Sequence, residues 1–184
     1  MTKRIAVLLE EGFEEIEAIV PIDVLRRLEF DVVLAGKSAK VAGAHGINIE
    51  TDCLIDDLDA SDLDAVLLPG GMPGSTNLRD NPKVTALVKE MYEAGKITAA
   101  ICAAPIALAE AGVTKGKKCT AYPMQLVHDA LSDAEYTGNP AETDGNLITG
   151  KGPGAAFDFA VAVASALGKA PQARSLMKNM FVRL

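Results

Sequence analysis

Short, continuous apolar runs alternate along this chain with segments whose apolar residues recur at helical spacing. Residues 4–9, 64–68 and 97–101 are runs typical of strands that are buried on both faces of a parallel sheet. Residues 15–28 carry apolar side chains at helical spacing, and residues 32–34 form another short strand. A strand, a helix and a strand within about thirty residues predict a βαβ unit with a right-handed crossover.

The same patterns continue to the end of the sequence. They predict helices over 82–94, 104–111 and 155–167, the last ended by Gly168, and a hairpin turn at Asp144-Gly145. Residues 38–56 are expected to form a small irregular section. We therefore predict a single α/β domain over residues 1–184, a doubly wound sandwich with a mostly parallel sheet and helices on both faces.

Composition excludes several classes of protein. The net charge is −7 and the eighteen basic residues are spread along the chain, so a nucleic-acid surface is not expected. No apolar run approaches the roughly 20 residues of a membrane-spanning helix. Glu10 and Glu11 stop the first apolar run before it reaches the length of a signal-peptide core. The sequence therefore predicts a cytoplasmic protein that contacts neither membrane nor nucleic acid.

The cysteines and histidines are few. Cys53, Cys102 and Cys119 are an odd, sparse set, which favours free thiols in a reducing compartment. The two histidines, His45 and His128, have no paired ligand spacing, so a metal site is not predicted. Cys53 and Cys119 are interpreted as packing residues or secondary thiols.

The strongest chemical signal is Cys102, which stands where a buried strand meets a helix. The surrounding sequence is Ala100-Ile101-Cys102-Ala103-Ala104-Pro105. Small neighbours at such a corner are what a nucleophile elbow requires, and the turn is expected to hold Cys102 in a sparsely populated backbone conformation. The helix N-terminus behind it favours a thiolate. The alternative is a cysteine that merely packs in the core.

Two further segments are expected to meet Cys102 at the carboxyl ends of the strands. The first carries Glu14, Glu15 and Glu17; acidic residues suit a helix N-terminus, but Glu17 would face a different side from Glu15. A carboxyl group buried beside a thiolate would have a raised pKa and could donate its proton to the sulfur. The residues alone leave both interpretations of Glu17 open.

The second segment is the turn at Gly70-Gly71, which follows the strand at 64–68. Backbone N–H groups in such a turn can approach the site closely, as in an oxyanion hole. Ordinary turn chemistry is the alternative explanation of the two glycines.

Together these motifs resemble the ThiJ/PfpI superfamily, in the branch of the parkinsonism-associated protein deglycase. The resemblance covers nearly the whole chain. It is carried by Glu-Glu-Ile-Glu-Ala at 14–18, Pro-Ile-Asp-Val-Leu-Arg-Arg at 21–27, Leu-Leu-Pro-Gly-Gly at 67–71, Ala-Ile-Cys-Ala-Ala-Pro at 100–105 and Gly-Pro-Gly at 152–154.

The resemblance implies a flavodoxin-like, class I glutamine amidotransferase-like domain and a homodimer. It implies a reactive nucleophile at Cys102, a protonated carboxyl group at Glu17, and oxyanion-stabilising amides at Gly71 and Ala103. It also implies that Gly70, Ala104, Tyr122 and Pro153 line the site.

Two positions depart from the family pattern. Family proteases have His directly after the nucleophile, where this chain has Ala103, so a Cys-His peptidase would lack its base. The deglycase branch has His before the downstream proline, where this chain has Tyr122. A tyrosine with an ordinary pKa near 10 is a poor base at neutral pH.

Three functions follow as hypotheses. The first is a cofactor-independent glyoxalase or deglycase, a hydro-lyase or hydrolase that acts on small reactive aldehydes such as methylglyoxal or on glycated protein side chains. The second is an oxidative-stress sensor or chaperone that works through oxidation of Cys102 to a sulfinate. The third, a cysteine peptidase, is disfavoured by Ala103.

Overall fold

A seven-stranded sheet forms the centre of the computed structural model, which describes residues 2–183. Its strands lie in the spatial order β10-β11-β7-β6-β1-β2-β5, and every neighbouring pair is parallel except β10 and β11. Two short pairs, β3-β4 and β8-β9, lie outside it. The strands are β1 (Arg4–Leu9), β2 (Asp31–Gly36), β3 (Lys40–Ala42), β4 (Asn48–Glu50), β5 (Cys53–Leu54), β6 (Ala65–Leu68), β7 (Ile97–Ile101), β8 (Lys118–Cys119), β9 (Glu135–Tyr136), β10 (Ala141–Asp144) and β11 (Leu147–Gly150).

Helices cover both faces of this sheet. They are α1 (Glu15–Arg27), α2 (Gly74–Asp80), α3 (Pro82–Glu93), α4 (Pro105–Glu110), α5 (Gln125–Ala130), α6 (Ala156–Ala164) and α7 (Ala170–Asn179). Helices α1, α6 and α7 contribute to the core on one face, and α2, α3 and α4 to the core on the other. The predicted doubly wound, mostly parallel α/β fold is confirmed.

The continuous apolar runs are explained by this two-sided burial. In β1, Ile5 and Val7 belong to one core, while Ala6 and Leu8, on the opposite face, belong to the other. All four are at most 1% exposed. A strand with solvent on one face would instead alternate apolar with polar residues.

Most predicted elements are confirmed, and the differences lie where the sequence pattern is weak. The section at 38–56 is not irregular throughout: it holds the antiparallel pair β3-β4 and the edge strand β5. These strands have only two or three residues each, too few to show a period. Gly168 has a φ of 91° and ends the preceding helix as predicted, but a further helix, α7, which was not predicted, begins at Ala170.

The strand order reverses at β1. From β1 the chain proceeds to β2 on one side, whereas β6, β7 and β11 lie on the other side. A crevice opens at such a reversal, outside the carboxyl ends of the strands, and ligands of this fold class collect there. The segments that follow β1, β6 and β7 carry Glu17, Gly70 and Cys102 respectively.

The outer side of α1 carries partly exposed apolar side chains. Ile16 is 50% exposed and Ile19 is 40% exposed. The homodimer implied by the family resemblance stays a prediction, and this surface is where α1 could contribute to it. Within residues 2–183, none of the helices combines the length and the apolar character required to cross a bilayer.

Candidate active site

Cys102 lies directly after β7, and two other segments of the chain hold its backbone by hydrogen bonds. Its N–H donates to the carbonyl oxygen of Gly150 at 2.8 Å, and its carbonyl oxygen accepts from the N–H of Tyr122 at 2.9 Å. Its φ is 64°, a left-handed conformation that is uncommon for a residue with a Cβ. The predicted nucleophile elbow and its unusual backbone conformation are therefore present.

Glu17 reaches the same place from the first turn of α1. The side chain is only 1% exposed, and its Oε2 accepts a hydrogen bond from the N–H of Gly70 at 2.9 Å. Its Oε1 is buried without a hydrogen-bond partner. The Cys102 thiol is the neighbouring side chain that interacts with this carboxyl group. Glu17 is thus a partner for the sulfur rather than a surface residue of the helix.

The two glycines after β6 allow these side chains to meet. A Cβ on Gly70 would overlap Oε2 of Glu17 and lie 2.6 Å from the Cβ of Cys102. Gly71 has a φ of 90°, and a Cβ there would overlap the backbone of the turn after β1. The N–H of Gly71 and that of Ala103 interact with the Cys102 sulfur. The two predicted oxyanion amides therefore face the nucleophile, although their role in catalysis stays a prediction.

Burial dominates the electrostatics of the pair. It raises the pKa of Glu17 to about 7, against the opposing effects of the Cys102 thiol and the Gly70 N–H. Burial also raises the pKa of the Cys102 thiol, and a negative charge on Glu17 raises it further. Cys102 is only 9% exposed. The helix N-terminus expected behind Cys102 is that of α4, which has only six residues, and burial affects the Cys102 pKa more than the nearby N–H groups, which lower it.

A thiolate is nevertheless accessible when Glu17 carries the proton. Two buried acids in contact rarely lose both protons, so the pair holds one negative charge that either group can carry. The sulfur is near the N–H groups of Gly71 and Ala103, whereas the Glu17 carboxyl group accepts one N–H, from Gly70. Hydrogen bonds to an anion stabilise it. Burial raises the pKa of Cys102 further than that of Glu17, so a thiolate beside a protonated Glu17 stays a prediction.

The other predicted site residues divide into two groups. Tyr122 is 47% exposed and lines a cavity together with Pro153. Ala104 does not line the site: it is fully buried in the core that α3 and α4 share. Its N–H closes the elbow by donating to the carbonyl oxygen of Ile101 at 3.1 Å, so its small size serves packing. Cys119 is also fully buried, and burial raises its pKa to about 12.

The sequence analysis missed a contact between His45 and Glu15. The buried Glu15 carboxylate accepts from the backbone N–H of His45 at 2.6 Å and contacts its ring Nδ1 at 2.8 Å. Donor atoms of Glu14, Glu15 and His45 lie within 4.8 Å of one another, a spacing that could hold a metal ion. Both Glu15 oxygens already have hydrogen-bond partners in the β3-β4 loop. The cluster is therefore explained by a structural role, in which it connects α1 to this loop. Thirty residues separate His45 from Glu15, so no local pattern could reveal the contact.

Comparison with known proteins shows the family of this chain. The family model described as "DJ-1/PfpI family" matches residues 3–166. Protein dj-1beta of Drosophila melanogaster is 35% identical over 99% of this chain and 98% of its own length. A deglycase of Thermococcus kodakarensis is 33% identical over 82% of this chain and 91% of its own length. This chain spans only 37% and 42% of two DJ-1 homologues of Arabidopsis thaliana, to which it is 36% and 35% identical.

Solved structures show the same fold. The crystal structure of Drosophila melanogaster DJ-1beta superposes with a TM-score of 0.93 at 36% identity, over the whole of both chains. A DJ-1 superfamily protein from Salmonella typhimurium, solved as a cysteine-to-alanine mutant, superposes with a TM-score of 0.92 at 37% identity, also over both full chains. With a family match over most of its length and an elbow cysteine beside a buried carboxyl group, this chain belongs to the DJ-1/PfpI family.

Proposed function

We propose that this protein is a stress-response enzyme that converts 2-oxoaldehydes such as methylglyoxal into 2-hydroxy acids without a cofactor. Cys102 is the nucleophile and Glu17 carries protons. The observation on which this depends is the buried Cys102–Glu17 pair, because it joins an elbow sulfur to a carboxyl group whose pKa is raised to about 7. A group that titrates near the working pH can both accept and donate a proton during turnover.

The reaction can be written with this pair alone. The Cys102 thiolate adds to the aldehyde carbon, and the resulting oxyanion takes a proton, which gives a hemithioacetal. Glu17, having given its proton to that oxyanion, removes the proton from this carbon and returns one to the adjacent carbon. The hydroxyl proton passes to the former keto oxygen, which leaves a thioester of the hydroxy acid. Water hydrolyses the thioester, so that methylglyoxal and water yield lactate and a free thiol. The electrons move within the substrate, so neither oxidant nor reductant is needed.

The N–H groups at the elbow are placed to stabilise the negatively charged intermediates of this reaction. Those of Gly71 and Ala103 already face the sulfur. An oxygen bound to the carbon next to the sulfur would lie close to them, and fixed donors at a developing oxyanion lower the barrier. A protein side chain glycated by the same aldehyde presents a related carbon atom, and such adducts are the other substrates that we propose.

The direct test is lactate formation from methylglyoxal by the purified protein without added thiol. We expect many molecules of lactate per protein chain, because hydrolysis of the thioester regenerates Cys102. An inactivated sample of the same purified protein provides the background rate of lactate formation. Loss of methylglyoxal without lactate, or one equivalent consumed per chain, would show that the cysteine merely forms adducts and would contradict the proposal.

A second candidate function, oxidation sensing, is favoured by the unpartnered Oε1 of Glu17. When protonated, this carboxyl group can donate a hydrogen bond to an oxygen on the neighbouring sulfur. We expect mild peroxide to add two oxygens to Cys102 before Cys53 or Cys119, as read by mass spectrometry of peptides. Burial raises the pKa of all three thiols, but Cys102 differs in having the Glu17 carboxyl group and the N–H groups of Gly71 and Ala103 at its sulfur, which is why we expect it to be oxidised first. Earlier oxidation of Cys53 or Cys119 would rule out this function.

A further inference from the structure

A cavity lies beside the elbow, between the two segments that hold the backbone of Cys102. One wall begins at Tyr122, whose N–H is bonded to the Cys102 carbonyl oxygen. The opposite wall, which starts at Lys151, directly follows Gly150, the acceptor for the Cys102 N–H. The cavity has a volume of about 470 Å³, within the range of about 300–1,000 Å³ for small-molecule sites. The two backbone hydrogen bonds place this space next to the elbow, although Cys102 itself does not line it.

The lining is mainly an aromatic ring and three prolines. Tyr122, Pro123, Pro140 and Pro153 supply apolar surface, and Lys151 and Asp158 stand at the cavity with opposite charges. The Lys151 ammonium group donates to the carbonyl oxygen of Gly138 at 3.1 Å. With its charges balanced and its ammonium group engaged, the cavity suits a neutral apolar group better than an ion.

The backbone beside Tyr122 is tied by a hydrogen bond, and one residue of the cavity lies next to its ring. Its neighbour Ala121 accepts a hydrogen bond from the Tyr136 hydroxyl at 3.0 Å. Gly152 lies so close that a Cβ there would be 3.4 Å from Cδ2 of the ring, an ordinary van der Waals contact. Tyr122 is 47% exposed, so its ring offers a flat surface at the cavity against which another flat group can stack.

We propose that this cavity binds the substituent of the substrate and that Tyr122 makes the protein prefer 2-oxoaldehydes with an aryl group over those with a methyl group. The inference rests on the proposed function and names the substrate class of the same site. Tyr122, expected from the family resemblance to line the site and a poor base at neutral pH, is in this proposal a specificity residue. A methyl substituent leaves the prolines and the ring uncovered, whereas a phenyl ring covers them.

The first test compares kcat/KM for phenylglyoxal and for methylglyoxal. We expect Tyr122→Ala to lower the phenylglyoxal-to-methylglyoxal ratio about tenfold, since one apolar contact discriminates to about this extent. Tyr122→Phe keeps the ring and is the matched control, with a ratio like that of the native protein. Gly152→Ala, which fills space beside the ring, is expected to lower the ratio as well. The alkylation rate of Cys102 in each variant shows whether the elbow is intact.

A binding measurement separates this inference from the proposed reaction. In the Cys102→Ala protein, NMR titration with mandelate and lactate, the aryl and methyl hydroxy acids, needs no turnover. We expect mandelate to bind about tenfold more tightly, and Tyr122→Ala added to this protein to remove the difference. If mandelate binds in this way but no lactate forms from methylglyoxal, the cavity proposal stands and the glyoxalase function is wrong. Equal binding, or a kcat/KM ratio that Tyr122→Ala leaves unchanged, would overturn the cavity proposal.

Discussion

Cys102→Ala is expected to lower lactate formation from methylglyoxal by more than about a thousandfold, to the uncatalysed background. The reason is that every covalent stage of the proposed reaction is formed on this sulfur, and the nearby carboxyl group cannot replace it as a nucleophile. Lactate is measured enzymatically over time at neutral pH. The expected loss is in kcat, because alanine removes the reacting atom itself.

The matched control is Cys53→Ala. Cys53 lies on the edge strand β5 and is partly exposed, so its replacement is expected to leave lactate formation unchanged. Alanine at position 102 can adopt the same backbone as cysteine and keeps the hydrogen bonds to Gly150 and Tyr122. The thermal unfolding midpoint should therefore remain within a few degrees. Full activity in a folded Cys102→Ala protein would show that the elbow cysteine is not the nucleophile.

Glu17→Gln is expected to lower the turnover of substrate while leaving the ionisation of Cys102 nearly unchanged. Glutamine can accept from the Gly70 N–H and offer an N–H to the sulfur, and so resembles a protonated Glu17. Alkylation of Cys102 by iodoacetamide at pH 7 should therefore stay within about threefold of the native rate. Lactate formation should fall by about a hundredfold or more, because an amide cannot carry protons.

The pH profile of the native protein follows from the shared proton. The Cys102–Glu17 pair loses its first proton with an apparent pKa no higher than about 7, the pKa of Glu17. Either group can release this proton, so the pair loses it at least as readily as Glu17 alone would. Below this pH both groups are protonated and alkylation is slow. As the pH rises towards 7 the thiolate forms, and the rate then levels off. An ordinary cysteine reaches its midpoint near pH 8.5.

Comparison of the alkylation rates of Glu17→Gln and the native protein identifies which group, Cys102 or Glu17, holds the remaining proton of the pair. If the proton of the singly charged pair sits on sulfur, Glu17→Gln removes the negative charge that raises the Cys102 pKa. Alkylation at pH 7 would then become much faster in the variant than in the native protein, contrary to the expected result. Native alkylation at pH 6 no faster than that of Cys53 would likewise contradict a thiolate at this site.

Much of the fold could be predicted because burial on both faces of a sheet produces continuous apolar runs within single segments of the sequence. The runs in β1, β6 and β7 and the helical spacing of α1 and α3 each lie within one segment. The elbow could also be predicted, since the small residues around Cys102 are neighbours in sequence. Strands β3 and β4 could not, because three residues carry no measurable period.

The sequence alone determined the α/β alternation and the place of Cys102 at a strand-to-helix corner, because both follow from residues close together in the chain. Only the tertiary structure decided the state of that sulfur. Its pKa depends on burial, on Glu17 from the segment after β1 and on the N–H of Gly71 after β6. It also decided that Ala104 packs in the core while Tyr122 lines a cavity. Such properties arise where distant segments meet, and electrostatic energies depend on those distances and on the exclusion of water.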